Sequence, residues 1–256
     1  IILGKCLKEI PRERYIISTK GGRLSENTFD YSPEHINHSI NISLKRLNTE
    51  YIDIYFLHDI EFGNISEIME TSVNNLISFR NNGILRNIGF STYKLDTVIE
   101  ASKFPSFKYL DVILIYGHNN LIDSSLFTIK PLLDKYNIGL IDASPLAMGL
   151  LTEIGPPSWH PVNLSDRNKC RKIAYGIKEN TKYTLSYLAL YYTLSNMIGS
   201  SLLIGLETSN QLLHNLGVIQ DVINNNNINN NINNNLHCLI KKTKQNLEGF
   251  KNLDIS

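Results

Sequence analysis

The chain has 256 residues, of which 42% are hydrophobic and 19% charged, with a formal net charge of +1; this is enough to bury a large core within one α/β barrel domain. The near-neutral balance supplies no field that gathers phosphates, so nucleic acid is not an expected partner. Cys6, Cys170 and Cys238 are too few and too scattered for a disulfide framework or a metal site, and no apolar run approaches the roughly 20 residues that span a bilayer, so a cytoplasmic protein without metal or membrane attachment is expected.

In chain order, Ile1 to Leu7 has helical spacing with no capping residue before it, so the chain is expected to begin part-way through a helix. From Arg14 onward short β-branched runs alternate with segments of helical period, the pattern of βα units around a parallel sheet. Strands are predicted at Tyr15–Thr19, Ile52–Leu57, Arg86–Phe90, Val112–Tyr116, Ile138–Asp142 and Leu202–Gly205. Ser32-Pro33 caps a helix whose stripe is Ile36, Ile40, Leu44 and Leu47 and which ends at Asn48. Ser66 opens a second, with Ile68, Met69, Val73, Leu76 and Ile77 inward and Gly83 as its left-handed stop. Further helices are predicted at Leu95–Phe104, Ser124–Tyr136, Thr184–Met197 and Ser209–Ile223. Six strands is two short of a closed eight-stranded barrel, and an open doubly wound sheet is the competing architecture. Gly155–Pro161 reads as a rigid, non-helical loop after a strand.

Residues 224–235 are almost wholly Asn and cannot bury enough apolar area to offset the entropy of ordering, so they are expected to be a disordered insertion. Beyond it Leu236, Leu239, Ile240, Leu247 and Phe250 regain helical spacing, giving a terminal helix and tail over 236–256. The Asn tract with Lys241-Lys242-Thr243-Lys244 also reads as a partner-binding tail, against a passive insertion at a loop tip.

Lys20 lies just past one strand and His58 just past the next. In a barrel both emerge at the carboxyl-end rim where catalysis occurs, although taken alone each reads first as a solvated lysine and a hydrogen-bonded histidine. Their surroundings carry more. Pro11 to Tyr15, Ser18-Thr19-Lys20-Gly21-Gly22-Arg23, Phe29 to Ser32, Ser43 to Leu47, Tyr51-Ile52-Asp53, His58-Asp59-Ile60-Glu61, Gly83 to Arg86 with Ile88-Gly89, Ala143 to Thr152 and Gly155 to Pro161 together resemble the aldo-keto reductases, in particular the L-galactose dehydrogenase branch. The resemblance runs from Leu3 to about Ile223, so a barrel domain is expected over 1–223. It implies an α/β fold, the (β/α)8 TIM barrel of that family, incomplete here with its first strands missing.

The resemblance also implies a chemistry. The family works with an Asp, Tyr, Lys and His set, in which a nearby ammonium lowers the tyrosine hydroxyl from its usual value near 10 and the histidine hydrogen-bonds the reacting substrate oxygen. Lys20 matches the ammonium and His58 the histidine. The family's Asp and Tyr lie upstream of the helix containing Leu3 and Gly4, so they have no match in this chain. Tyr15, Tyr31 and Tyr55 do not stand at the matching position.

The family binds an extended dinucleotide without a Gly-rich Rossmann turn, and this chain has no G-x-G-x-x-G. By resemblance Ser91 contacts the nicotinamide amide, Tyr116 lies below the ring, Ser144, Leu146 and Gly149 form the pyrophosphate loop, and Asn215 meets the adenine. Gly205 and Gln211 stand where NADP-preferring members carry cations for the extra phosphate, which argues for NAD over NADP. The implied activity is NAD-dependent oxidation of an aldose, L-galactose or a related sugar, at its anomeric carbon to the lactone. Without the matching Asp and Tyr the chain by itself is expected to be inactive, and the rival reading is a non-catalytic protein retaining at most weak dinucleotide binding.

Overall fold

A computed structural model describes residues 1–226 and 232–250. The chain divides into two compact units, the first comprising 1–115 and 129–140, the second 116–128 and 141–256. Among the described residues no helix is long and apolar enough to cross a membrane.

In the first unit β1 (Ser18–Gly21), β2 (Ile52–Leu57), β3 (Leu85–Thr92) and β4 (Val112–Tyr116) pair side by side in chain order, every pair parallel. β2 is almost continuously apolar and buried, as a strand covered on both faces must be. β1 begins later than its β-branched run predicts. Arg12 donates to the carbonyls of Tyr15 and Tyr51, and the Ile17 N–H goes to the Asp53 carboxylate, so backbone groups that would extend the ladder are taken by side chains. The same Asp53 receives Arg12 at 2.5 Å and Arg86 at 3.3 Å, and both guanidiniums stack on the Tyr51 ring, at 3.9 and 3.8 Å from its centroid. This charged clamp ties the amino ends of β1, β2 and β3 together.

Helix Pro33–Leu47 follows its prediction: the Ser32 hydroxyl accepts from the His35 N–H, and Asn48 closes the helix in the left-handed conformation. The next helix starts at Ile65 and is capped by Asn64, whose side chain accepts from the Glu67 N–H, rather than opening at Ser66. It passes through a π-helical stretch at Ile68–Ser72 and reaches Asn81, with Gly83 left-handed beyond it. The predicted helix at Leu95–Phe104 stops at Ala101, and a 3-10 turn led by Pro105 follows.

The second unit holds the pairing of β5 (Gly139–Ala143, begun in the first unit) with β6 (Ser201–Leu203), also parallel. Its core joins Leu150, Leu151, Cys170, Leu185, Leu188, Val218, Leu236, Leu247 and Phe250. Helix Leu164–Asn180 belongs to it and is not among the helices predicted from the sequence. Its exposed faces dilute the periodicity, and only Cys170, Ala174 and Ile177 turn inward. Asn163, accepting from the Asp166 N–H, is the signal that could have found it.

Two helices enter the Asn-rich stretch from either side, Ser209–Asn226 and Ile232–Asn246. Residues 224–226 and 232–235 of the Asn-rich stretch are thus helical. Residues 227–231, and 251–256 of the tail, lie outside the described residues. In the last helix Leu236 is buried and Lys244 reaches Ser124 and the Tyr192 hydroxyl, so this part of the basic run is committed inside the unit.

Candidate active site

Parallel register brings three of the predicted residues to one face of the first unit's sheet. Lys20 pairs with Phe56 on β2, and Phe56 with Gly89 on β3. Side chains two residues apart on a strand share a face, so His58, two beyond Phe56, and Ser91, two beyond Gly89, lie on the same face as Lys20. All three sit at or just past the carboxyl ends of their strands. The opposite face of β2 carries Tyr55, whose hydroxyl donates to Ser39 Oγ.

Two glycines make the approach to this rim possible. A methyl on Gly21 would sit 2.0 Å from the Tyr55 hydroxyl, and Gly22, at φ +105, would place one 2.6 Å from the Tyr31 ring. The chain then turns through Arg23 to Phe29, and the Asp30 N–H returns to the Gly22 carbonyl at 2.7 Å.

Asp59 organises the polar groups at this end of the unit. It is 4% exposed and adopts the left-handed conformation at φ 55, ψ 62. Its carboxylate accepts from Ser91 Oγ at 2.8 Å on Oδ1 and from Arg23 at 3.1 Å on Oδ2, while its own N–H donates to Ser91 Oγ at 3.0 Å. His58 Nε2 lies 3.4 Å from Oδ2. The Tyr31 hydroxyl donates into the carbonyls of His58 and Asp59, at 2.6 and 2.8 Å.

These surroundings set the charges. Burial pulls the Lys20 ammonium below its usual range, opposed by the Asp59 carboxylate. Burial likewise lowers the His58 imidazole; Asp59 works against it, and the cations Lys20 and Arg23 add to it. Glu61 is raised by burial, with Oε1 accepting from the Tyr93 N–H and Oε2 buried without a hydrogen-bond partner among the described residues. Neither buried tyrosine nearby is prepared as a base: burial drives Tyr31 far up, with Asp59 and Glu61 adding, and Tyr55 to about 12.

The second unit carries the other predicted residues. Ser144, Ala147 and Met148 all have positive φ without being glycine, and Gly149 follows at φ 88. Consecutive left-handed residues are costly and concentrate at functional loops. This loop is stitched by Ser144, whose carbonyl accepts from the Ala147 N–H and whose hydroxyl accepts from the Met148 N–H. His160 buttresses it. Its Nδ1 accepts from the Val162 N–H, so Nε2 carries the proton and donates to the Ala147 carbonyl at 3.2 Å. Arg167 donates to the carbonyls of Pro157, Ser158, His160 and Val162, which makes the Gly155–Pro161 excursion rigid.

Tyr116 and Leu146 are half-buried, Gly205 is exposed just beyond β6, and Asn215 is buried at 8% exposure on helix Ser209–Asn226. Gln211 is occupied structurally. It accepts from the Glu207 and Thr208 N–H groups while its own N–H goes to the Thr208 hydroxyl, a reciprocal capping box that opens this helix. The Thr-x-x-Gln spacing is the sequence signal for it. The bond between Ser91 and Asp59 has no such signal: the resemblance points Ser91 at a ligand and includes Asp59 only within a motif, yet the two side chains bond each other.

Parallel βα order with a lysine and a histidine at adjacent strand ends puts the candidate site at the carboxyl-end rim of an α/β sheet. The model of the Aldo/keto reductase family matches residues 1–230, and the chain belongs to that family. It is 38% identical over 230 residues to L-galactose dehydrogenase of Arabidopsis thaliana, spanning 86% of this chain and 69% of that protein. Against D-arabinose 1-dehydrogenase of Saccharomyces cerevisiae the identity is 29% over 224 residues, spanning 83% of this chain and 66% of that one. Among solved structures, the holo form of an aldo-keto reductase from Bacillus halodurans superposes with a TM-score of 0.69 at 22% identity, covering 94% of this chain and 76% of that one. The fold is thus the aldo-keto reductase (β/α)8 type, of which the described residues carry six parallel strands, and the open doubly wound alternative falls.

Proposed function

We propose that these residues belong to an NAD-dependent oxidoreductase of the cytoplasm that oxidises an aldose, L-galactose or a related sugar, at its anomeric carbon to the lactone. The observation that carries this reading is the placement of Lys20 and His58 on one sheet face at neighbouring strand ends, in a chain 38% identical to an L-galactose dehydrogenase.

His58 donates a hydrogen bond from its ring to the anomeric oxygen and orients the carbon that loses hydride. Lys20 holds a positive charge beside the position of the phenolic base, favouring the phenolate that takes the hydroxyl proton. A bound nicotinamide supplies the hydride acceptor. By the resemblance, Ser91 of the first unit is assigned to the carboxamide; in the second unit Tyr116 is assigned to the ring, the loop of Ser144, Leu146 and Gly149 to the pyrophosphate and Asn215 to the adenine. Gly205, exposed and without a cation, leaves the 2′-phosphate of NADP unpaired, which favours NAD.

A second reading is favoured by a specific observation. Tyr31 and Tyr55 are raised rather than lowered, so residues 1–256 offer no phenolate near Lys20 from these two. Taken alone, these residues would bind dinucleotide weakly at most and would not turn over. The test is an assay of NAD+ reduction with L-galactose, run on residues 1–256 and on the same residues preceded by an aldo-keto reductase segment that carries the family's Asp and Tyr. Turnover in the second protein alone is expected. Failure in both would favour the non-catalytic reading, with or without residual NADH binding.

A further inference from the structure

We propose that Asp59 is a positioning residue of the candidate site: its carboxylate holds the His58 ring in the tautomer with the proton on Nε2. The inference rests on the reading of His58 as the donor to the sugar oxygen, and it says how that donor is set.

The geometry leaves Asp59 little freedom. Its backbone is left-handed, a conformation that Asp tolerates better than most residues but that still needs support. Support comes from the Tyr31 hydroxyl on its carbonyl and from Ser91 Oγ, which accepts its N–H. Its carboxylate oxygens are divided: Oδ1 takes the Ser91 proton, and Oδ2 takes Arg23 and lies 3.4 Å from His58 Nε2.

An ionised carboxylate can only accept hydrogen bonds. A ring nitrogen beside Oδ2 is favoured with a hydrogen on it and disfavoured with a lone pair, so the carboxylate selects the Nε2–H form. The charged and titratable groups around the imidazole are Lys20 from β1, Arg23 from the turn after it, and Asp59. Burial lowers the imidazole, Asp59 opposes it, and the two cations add to the lowering. What Asp59 decides is therefore which nitrogen carries the proton. At 3.4 Å the contact to Nε2 is too long to compete with a substrate oxygen at ordinary hydrogen-bond distance, so the proton is set without being withheld.

Ser91 adds a constraint. With its proton given to Oδ1 and one lone pair taken by the Asp59 N–H, it has one lone pair left, suited to an N–H donor such as a carboxamide. The site thus presents a donor at His58 and an acceptor at Ser91, both set by one carboxylate.

The test reads the tautomer directly in the ligand-free full chain at pH 8, from the ring nitrogen shifts of His58 in the 15N-labelled protein, assigned by the signal lost in His58→Gln. The wild-type chain is expected to be predominantly Nε2–H. In Asp59→Asn the Ser91 proton still needs the amide oxygen, which leaves the amide N–H groups facing His58 and inverts the preference. In Asp59→Gly the ring relaxes to the mixture of a free histidine, in which Nε2–H still leads but Nδ1–H is clearly present. Asn and Gly both accept a left-handed backbone, so folding is preserved. A several-fold rise of the Nδ1–H form in either folded variant supports the proposal. An unchanged tautomer in a folded variant, or a wild-type ring predominantly Nδ1–H, overturns it. Because no turnover is involved, such failure leaves the assignment of His58 to the substrate intact, which His58→Ala kinetics test separately.

Discussion

Asn119 donates from Nδ2 to Asp142 Oδ2 at 2.7 Å, while Asn119 Oδ1 and Asp142 Oδ1 are buried with no hydrogen-bond partner among the described residues. Both residues are 1% exposed. Burial raises the Asp142 carboxyl from 3.8 to about 6, with the Asn119 bond pulling the other way. A carboxyl raised on folding contributes its full stability below its unfolded value and loses it as pH climbs through its folded value. The chain should therefore lose on the order of 3 kcal/mol from this group between pH 4 and 7. Asp142→Asn keeps the shape and removes the charge. Urea unfolding should find it more stable than wild type at pH 8 and equal near pH 4; equal stability at both would show that Asp142 stays charged at no penalty.

The lysine and histidine separate by kinetics. In the protein joined to the tyrosine-bearing segment, Lys20→Met should lower kcat by roughly a hundredfold or more, because the phenol then stays protonated. His58→Ala should lower turnover while leaving the NADH dissociation constant close to wild type. Normal turnover with L-galactose in both variants would show the assigned roles to be wrong.

Cofactor preference has a one-residue test. The exposed Gly205 has open space where a side chain would begin, so Gly205→Arg introduces a guanidinium without displacing anything. NADPH binding should tighten relative to NADH, and wild type should prefer NADH. Titration by nicotinamide fluorescence checks both. A wild-type preference for NADPH refutes the alignment of this position. Gln211 is the wrong choice for the same experiment, since replacing it also removes its hydrogen bonds to two amides at the helix start.

At the amino ends of the strands, Asp53→Ala removes the shared partner of Arg12 and Arg86 and the acceptor of the Ile17 N–H. The cost comes chiefly from the buried Ile17 N–H left without its acceptor and from the partly buried Arg12, since Arg86 is exposed, so a loss on the order of 2 kcal/mol is expected. Denaturant midpoints measure it. Because the groups lie at the strand ends opposite Lys20 and His58, the His58 ring signals should be unmoved in the folded variant; a shift there would mean that the clamp also shapes the candidate site.

What the sequence by itself determined is whatever depends on local pattern. β2 and β4 match their predicted bounds, because four to six consecutive apolar residues leave a buried strand no other register. Ser32-Pro33 and Asn48 bound their helix because capping is a property of three or four neighbouring residues. Lys20 and His58 could be picked out from strand ends and motif order. Tertiary structure decided everything that needs a partner far along the chain. Arg12 and Asp53 shorten β1 from 41 residues apart. Ser91 meets Asp59 across 32. Asn119 meets Asp142 across 23. A side chain's donors and acceptors are known from its identity, but which of them is already spent depends on what folding brings within about 3 Å. That is why the sequence could nominate Ser91 for a ligand, while only the fold showed its proton already held by Asp59.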